Sequence, residues 1–192
     1  MYMDKQKVQW TALSHAVALD TPWFQIHKDH MRTPTGTETD YYIHAGHDSV
    51  ICLCVTDDNK VLIEQQYRPP VSKVSTDYPA GHMEEDDAST EAAIRRELKE
   101  EVGFEASSMQ KIATLDKDPG FSKTRLHVFL ARGHVEHPTQ PDVTEQITAR
   151  FVTSDEILEL IDSGTMSCTF CVSTTLLAFR QLGWLVAPQR LL

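Results

Sequence analysis

The sequence predicts a mixed α/β sandwich or an α+β fold, and three observations point there. Two apolar runs of strand type, residues 50–55 and 61–67, flank the turn-forming Asp57-Asp58-Asn59, which is the pattern of a β-hairpin. A helical pattern follows over residues 89–102, with capping residues at both ends. Further strand runs then precede two more helices, and such an irregular mixture suits layers of sheet and helix.

Residues 1–48 are mostly polar and are broken by Thr21-Pro22-Trp23-Phe24 and Thr33-Pro34-Thr35-Gly36, with Tyr41-Tyr42-Ile43 beyond. Short strands joined by Pro/Gly turns fit this segment best. In the first helix Asp87, Ser89 or Thr90 can cap the N-terminus, and Gly103 supplies the C-terminal stop. Strands are expected at residues 111–115, 125–131 and 147–152, then helices at 154–161 and 172–182 with Ser163-Gly164 between them. The chain shows no internal repeat or low-complexity tract.

Its 192 residues suit one domain of ordinary size with a small appendage. The expected division is an N-terminal β segment over 1–48 and a main domain over 49–192. Hydrophobic residues make up 41% and charged residues 24%, an ordinary globular balance that predicts a packed core. The net charge of −10 argues against a protein that tracks nucleic acid or an anionic membrane by bulk electrostatics. The first twenty residues hold Asp4, Lys5 and Lys7 and lack the apolar block of a signal peptide, so a cytoplasmic location is expected.

Four cysteines form two close pairs, Cys52/Cys54 and Cys168/Cys171. Without a secretory signal, reduced thiols are the default. Cys168-Thr169-Phe170-Cys171 has the spacing of half a zinc site. The general tendency of free cysteine to be buried favours structural roles for all four.

One segment is electrically abnormal. Residues 81–105 hold nine acids against Arg95, Arg96 and Lys99. At about 100° per residue, Glu97, Glu100 and Glu101 share one sector of the helix roughly 100° wide. They also fall in its last turns, where the helix dipole disfavours carboxylates by about 0.3–1 kcal/mol each. Either the face is simply solvated, with helix ion pairs to the three bases, or a cation compensates. Clustered carboxylates suit Mg²⁺, with Mn²⁺ as the alternative, hard ions that bridge to substrate phosphates.

The residue order decides between these. Arg96-Glu97-Leu98-Lys99-Glu100-Glu101-Val102-Gly103-Phe104 resembles the REUxEExGU half of the Nudix box, where U is a bulky apolar residue. Gly81 stands upstream as its opening glycine. Chance would produce this order in such a chain with a probability on the order of 10⁻⁵. The upstream half departs from the pattern: Asp87 stands where a glutamate is usual, and eight residues rather than seven separate it from Arg96.

Beyond the box, Gln65-Gln66-Tyr67-Arg68-Pro69-Pro70 and Tyr78-Pro79-Ala80-Gly81 resemble the run that precedes it in ADP-ribose pyrophosphatases. Pro119-Gly120-Phe121-Ser122 resembles the segment after it, and Pro119 is the specific clue to that subfamily and to its substrate. Asp77 and Tyr78 replace a usual Glu-Leu pair. The resemblance covers roughly residues 20–180.

What the resemblance implies is a Nudix α/β/α sandwich with a mixed sheet and a small N-terminal β subdomain that pairs across a homodimer. It implies hydrolysis of ADP-ribose, a small-molecule nucleotide sugar, to AMP and ribose 5-phosphate. Glu97 and Glu101, with Glu100 as partner and the Ala80 carbonyl, would hold the divalent ions, and Arg96 would brace helix and loop. Arg68 is the candidate phosphate clamp, and Trp23 a candidate platform for adenine. For the base, the implied choice is Glu145 and then Asp142, in a late acidic loop. Another nucleoside diphosphate sugar or dinucleotide is the alternative substrate, and a non-catalytic ADP-ribose sensor is the alternative function.

Overall fold

The computed structural model describes residues 8–140 and 146–185. The chain divides into two compact units, Met1–Asp48 with Asp116–Arg125, and Ser49–Leu115 with Leu126–Leu192. Residues 116–125, which the sequence reading placed with the main domain, thus pack with the N-terminal segment.

The first unit is a three-stranded antiparallel sheet of β1 (Thr11–Asp20), β2 (Phe24–Arg32) and β3 (Glu38–Gly46), in that order. Thr21 shapes the first turn, its Oγ1 accepting from the Phe24 amide at 3.0 Å. Gly36, at φ +90°, shapes the second, a conformation that only glycine adopts freely. The strands are nine or ten residues long, not short as expected. Charged cross-strand pairs such as Lys28–Asp40 at 2.7 Å and Arg32–Glu38 at 2.6 Å replace the apolar alternation by which a strand is usually recognised. The 116–125 loop is tied to β3, where the Tyr41 hydroxyl donates to the Gly120 carbonyl at 2.7 Å and the His44 amide to the Phe121 carbonyl at 2.8 Å.

The second unit is a seven-stranded mixed sheet between helices. Its elements are β4 (Ser49–Val55), β5 (Val61–Arg68), a 3₁₀ turn (Pro69–Val71), β6 (Lys73–Asp77), β7 (Ala80–His82), α1 (Thr90–Val102), β8 (Phe104–Asp116), β9 (Arg125–Val135), β10 (Thr148–Val152), α2 (Ser154–Asp162) and α3 (Thr169–Leu182). The strand order is β10-β5-β4-β9-β8, with β6 beside β5 and β7 beside β4.

Strand β4 lies at the centre, every residue buried, which explains its unbroken apolar run. Alternate residues face opposite layers. Val50, Cys52 and Cys54 pack with Ala93, Ile94, Leu98 and Val102 of α1. Ile51, Leu53 and Val55 pack with Ile157 of α2 and with Ala178 and Phe179 of α3. Full burial of each such aliphatic side chain contributes about 1.5–3 kcal/mol. Among the described residues, no helix is long and apolar enough to cross a membrane.

The expected hairpin is only half realised. Between β4 and β5 the register includes a single pair, Val55↔Val61. Further along, β4 pairs with β7 and in parallel with β9, while β5 pairs with β6 and β10. The short β6 and β7 were missed because polar or turn residues dominate them, and β8, expected only over 111–115, runs over 13 residues.

The helix caps follow the expectation. The Ser89 hydroxyl accepts from the Ala92 amide at 3.1 Å, and Gly103 ends α1 at φ +64°. The last helix begins three residues earlier than expected, with Cys168 as its N-cap.

Candidate active site

The site assembles where β7 runs toward α1. Helix α1 buries Ala93, Ile94, Leu98 and Val102 against the sheet. The same spacing turns Glu101 inward, leaving it 4% exposed. Its Oε2 accepts from the Ala80 amide at 3.2 Å. One turn earlier, the Glu97 carboxylate sits against Gly81 so closely that a Cβ there would overlap it. Two box glutamates are thus pressed onto two consecutive residues of β7, and the glycine is required by the approach.

Arg96 gathers the other acids. Its Nη1 lies 3.0 Å from Glu97, 3.2 Å from Glu100 and 3.4 Å from Glu84. Its Nη2 donates to Asp87 at 3.1 Å and to the His82 carbonyl at 3.2 Å. One guanidinium therefore faces four carboxylates and ties the 82–87 loop to the helix, as expected of Arg96. The lengthened loop still delivers Asp87 to the arginine. There Asp87 also accepts from the Glu84 amide at 2.8 Å, and its hydrogen bond with Arg96 holds its carboxyl below the usual carboxylate range.

The donor set fits a hard divalent ion. Glu97 and Glu101 are carboxylates drawn to one stretch of backbone, and a single arginine leaves the cluster with excess negative charge. Ala80 adds a carbonyl on the same stretch. Glu100 differs from the other two: its side chain is 46% exposed and is held by Arg96.

The remaining predicted residues fall elsewhere. Arg68, at the end of β5, donates from Nε to Asp77 Oδ2 at 3.2 Å and lies 3.8 Å from the buried Glu64. It is therefore engaged with two acids, of which Glu64 was not singled out by sequence. A buried acid inside the apolar-looking run before Gln65-Gln66-Tyr67 was the signal available for it. Trp23 and Pro119 belong to the first unit and are exposed. Asp142 and Glu145 lie outside the described residues.

The cysteines divide as well. Cys52, Cys54 and Cys171 are buried, as expected of structural thiols, but Cys168 is only partly so. Asp77, Cys168 and Cys171 bring one ligand atom each within 4.8 Å of one another, a grouping that sequence could not show for Asp77.

Comparison with known proteins agrees with this geometry. Residues 46–167 match the model of the NUDIX domain. The chain is 30% identical over 140 residues to an ADP-ribose pyrophosphatase of Bacillus subtilis, covering 72% of this chain and 75% of that one. It is 29% identical over 139 residues to a methanol dehydrogenase activator of Bacillus methanolicus, covering 71% and 75%. A crystal structure of an ADP compounds hydrolase superposes with a TM-score of 0.82 at 18% identity, over 92% of this chain and 95% of the other. With the box helix, its opening glycine and the layered sheet all in place, the chain belongs to the Nudix family.

Proposed function

We propose that this protein is a pyrophosphate hydrolase that cleaves ADP-ribose to AMP and ribose 5-phosphate with the help of Mg²⁺ or Mn²⁺. The observation that carries the reading is the placement of Glu97 and Glu101 against Gly81 and Ala80. Glu97, Glu101 and the Ala80 carbonyl would hold the metal, with Glu100 as partner. A divalent ion at such a site supplies an activated water and neutralises charge on the pyrophosphate.

The chain's own residues do the rest. Arg96 holds the loop and helix in one geometry, which fixes the carboxylates relative to the backbone. Arg68 serves the phosphates by exchanging part of its contact with Asp77 and Glu64 for phosphate oxygens. Glu145, with Asp142 as the second choice, accepts the proton of the attacking water. Trp23 and Pro119 serve the nucleotide.

The N-terminal sheet acts as a dimerisation element. In support, Leu13, Val17, Leu19 and Tyr42 all expose apolar surface on it, and clustered exposed apolar residues mark interaction surfaces. Light scattering after gel filtration tests this, and a monomer at micromolar concentration rejects it.

The decisive experiment incubates the protein with ADP-ribose and Mg²⁺, follows AMP by chromatography, and runs Glu101→Gln beside it. Metal-dependent AMP release that collapses in the variant is expected. Release that ignores metal, or that survives in the variant, overturns the reading. Binding of ADP-ribose without release favours the sensor.

A further inference from the structure

A second cluster of reactive side chains lies away from the box helix. Cys168 is the N-cap of α3, and Cys171 falls three residues later in its first turn. Cys171 is 1% exposed, whereas Cys168 is only partly buried. Behind Cys171 stands Asp77, itself 6% exposed, whose Oδ1 receives the Cys171 thiol at 3.7 Å and the Ser75 hydroxyl at 2.8 Å. The sulfurs and the carboxylate oxygen lie within 4.8 Å of one another. Lys73 Nζ donates to Ser167, the residue before Cys168, at 2.9 Å.

We propose that Cys168, Cys171 and Asp77 form a thiol–disulfide exchange site whose co-reactants are small-molecule disulfides. The roles follow from position. Cys168 is the attacking sulfur because it is the accessible one and sits at a helix N-terminus, where a thiolate is favoured. The Cys171 thiol, and then the backbone N–H groups of Cys171 and Phe170, hold the Cys168 thiol down to about 6, against the opposing effects of burial and, to a smaller extent, of the Asp77 carboxylate. Cys171 is the resolving sulfur, kept protonated in the resting pair by the neighbouring thiol and by burial. Asp77 is the proton acceptor within reach of it.

The reaction balances as follows. The Cys168 thiolate attacks one sulfur of a disulfide RSSR, forming a Cys168–S–SR bond and expelling RS⁻, which takes a proton from water. Cys171 then passes its proton to Asp77 as its sulfur attacks Cys168 Sγ, closing the Cys168–Cys171 bond and expelling the second RS⁻. That thiolate recovers a proton from Asp77 or from solvent. The dithiol is oxidised by two electrons and RSSR is reduced to two RSH. Closure across one helical turn is short enough for a disulfide, which needs the two Cα atoms about 4.4–6.8 Å apart.

The test uses the full-length protein and glutathione disulfide, with acid quenching, alkylation of the remaining thiols and peptide mass mapping. Expected are loss of two alkylatable thiols, a Cys168–Cys171 crosslink, and Cys52 and Cys54 still reduced. Cys171→Ser should trap a mixed disulfide on Cys168. Cys168→Ser should react at least tenfold more slowly. Asp77→Asn, which keeps the shape of the side chain and removes a charge that disfavours the Cys168 thiolate, should slow ring closure about tenfold while the first attack is no slower. Circular dichroism checks that each variant is folded. The proposal is overturned if both thiols stay alkylatable in the folded wild type, if glutathione adds to Cys171 as readily as to Cys168, or if the purified protein carries a stoichiometric metal ion that alkylation of Cys168 releases. None of these outcomes depends on pyrophosphate hydrolysis.

Discussion

The Glu97 carboxylate lies in the space that a side chain on Gly81 would fill. A residue on β7 and one on α1 thus approach more closely than any residue but glycine at position 81 would allow, and the approach sets where the carboxylate points.

Replacing Gly81 by alanine should therefore act on activity more than on the fold. The new methyl group must push Glu97 away by about an ångström, and displacement of that size can cost roughly 10²-fold in rate. A kcat for ADP-ribose hydrolysis within threefold of wild type would show that the position of Glu97 is not limiting. Mg²⁺ titration of the rate should show weakened metal affinity in the same variant.

Glu100 and Glu101 are adjacent but differ in setting. Glu101 is buried and bonded to the Ala80 amide, whereas Glu100 is half exposed and touches Arg96. Glu101→Gln should lower kcat/KM by about 10²-fold or more, in the range of lost electrostatic stabilisation. Glu100→Gln should lower it about tenfold, as expected when a supporting contact goes. Equal losses would mean that both carboxylates engage the ion alike.

The Asp87–Arg96 contact should appear in the pH dependence of stability. The arginine lowers the Asp87 pKa in the folded protein, so its stabilisation is present above the ordinary carboxylate value. It is lost as pH falls through the lowered folded value. Asp87→Asn should cost about 1–2 kcal/mol at neutral pH, the range for a hydrogen bond to a charged group discounted for partial exposure. Urea unfolding at pH 7 and at pH 3 measures it, and the gap between wild type and variant should narrow at the lower pH. A gap that widens on acidification would reject the assignment.

Much of this site was legible because the box packs its chemistry into a local pattern. The spacing that buries Leu98 and Val102 also turns Glu101 inward, and Gly103 announces the helix end. Pairings between distant segments were not legible. Asp77 looked like a replaced glutamate, yet it joins Arg68 of β5 and Cys171 of α3, besides Ser75 of its own strand. The first unit was underread because its strands are held by charged cross-strand pairs. The hairpin at β4 and β5 was overread, since no local pattern reveals that β7 and β9 occupy the flanks of β4.

Tyr78, which replaces an apolar residue of the subfamily pattern, offers a test of the core beneath the site. It is fully buried, and its hydroxyl is 2.7 Å from Thr175 Oγ1 on α3, which in turn donates to the Cys171 carbonyl at 2.9 Å. Tyr78→Phe removes one buried hydrogen bond and should cost about 0.5–1.5 kcal/mol at pH 8. Burial raises the Tyr78 pKa well above its ordinary value. The contribution of the neutral phenol is therefore full below about pH 10 and is lost as pH rises toward the folded value, by about 1.4 kcal/mol per pH unit. Tyr78→Phe lacks this dependence, and the other ionisable groups are common to both proteins. The wild type should thus be the more stable at pH 8 and lose that advantage near pH 11 in urea unfolding. An advantage constant across this range would mean that the phenol ionises as readily folded as unfolded and would reject the effect of its burial.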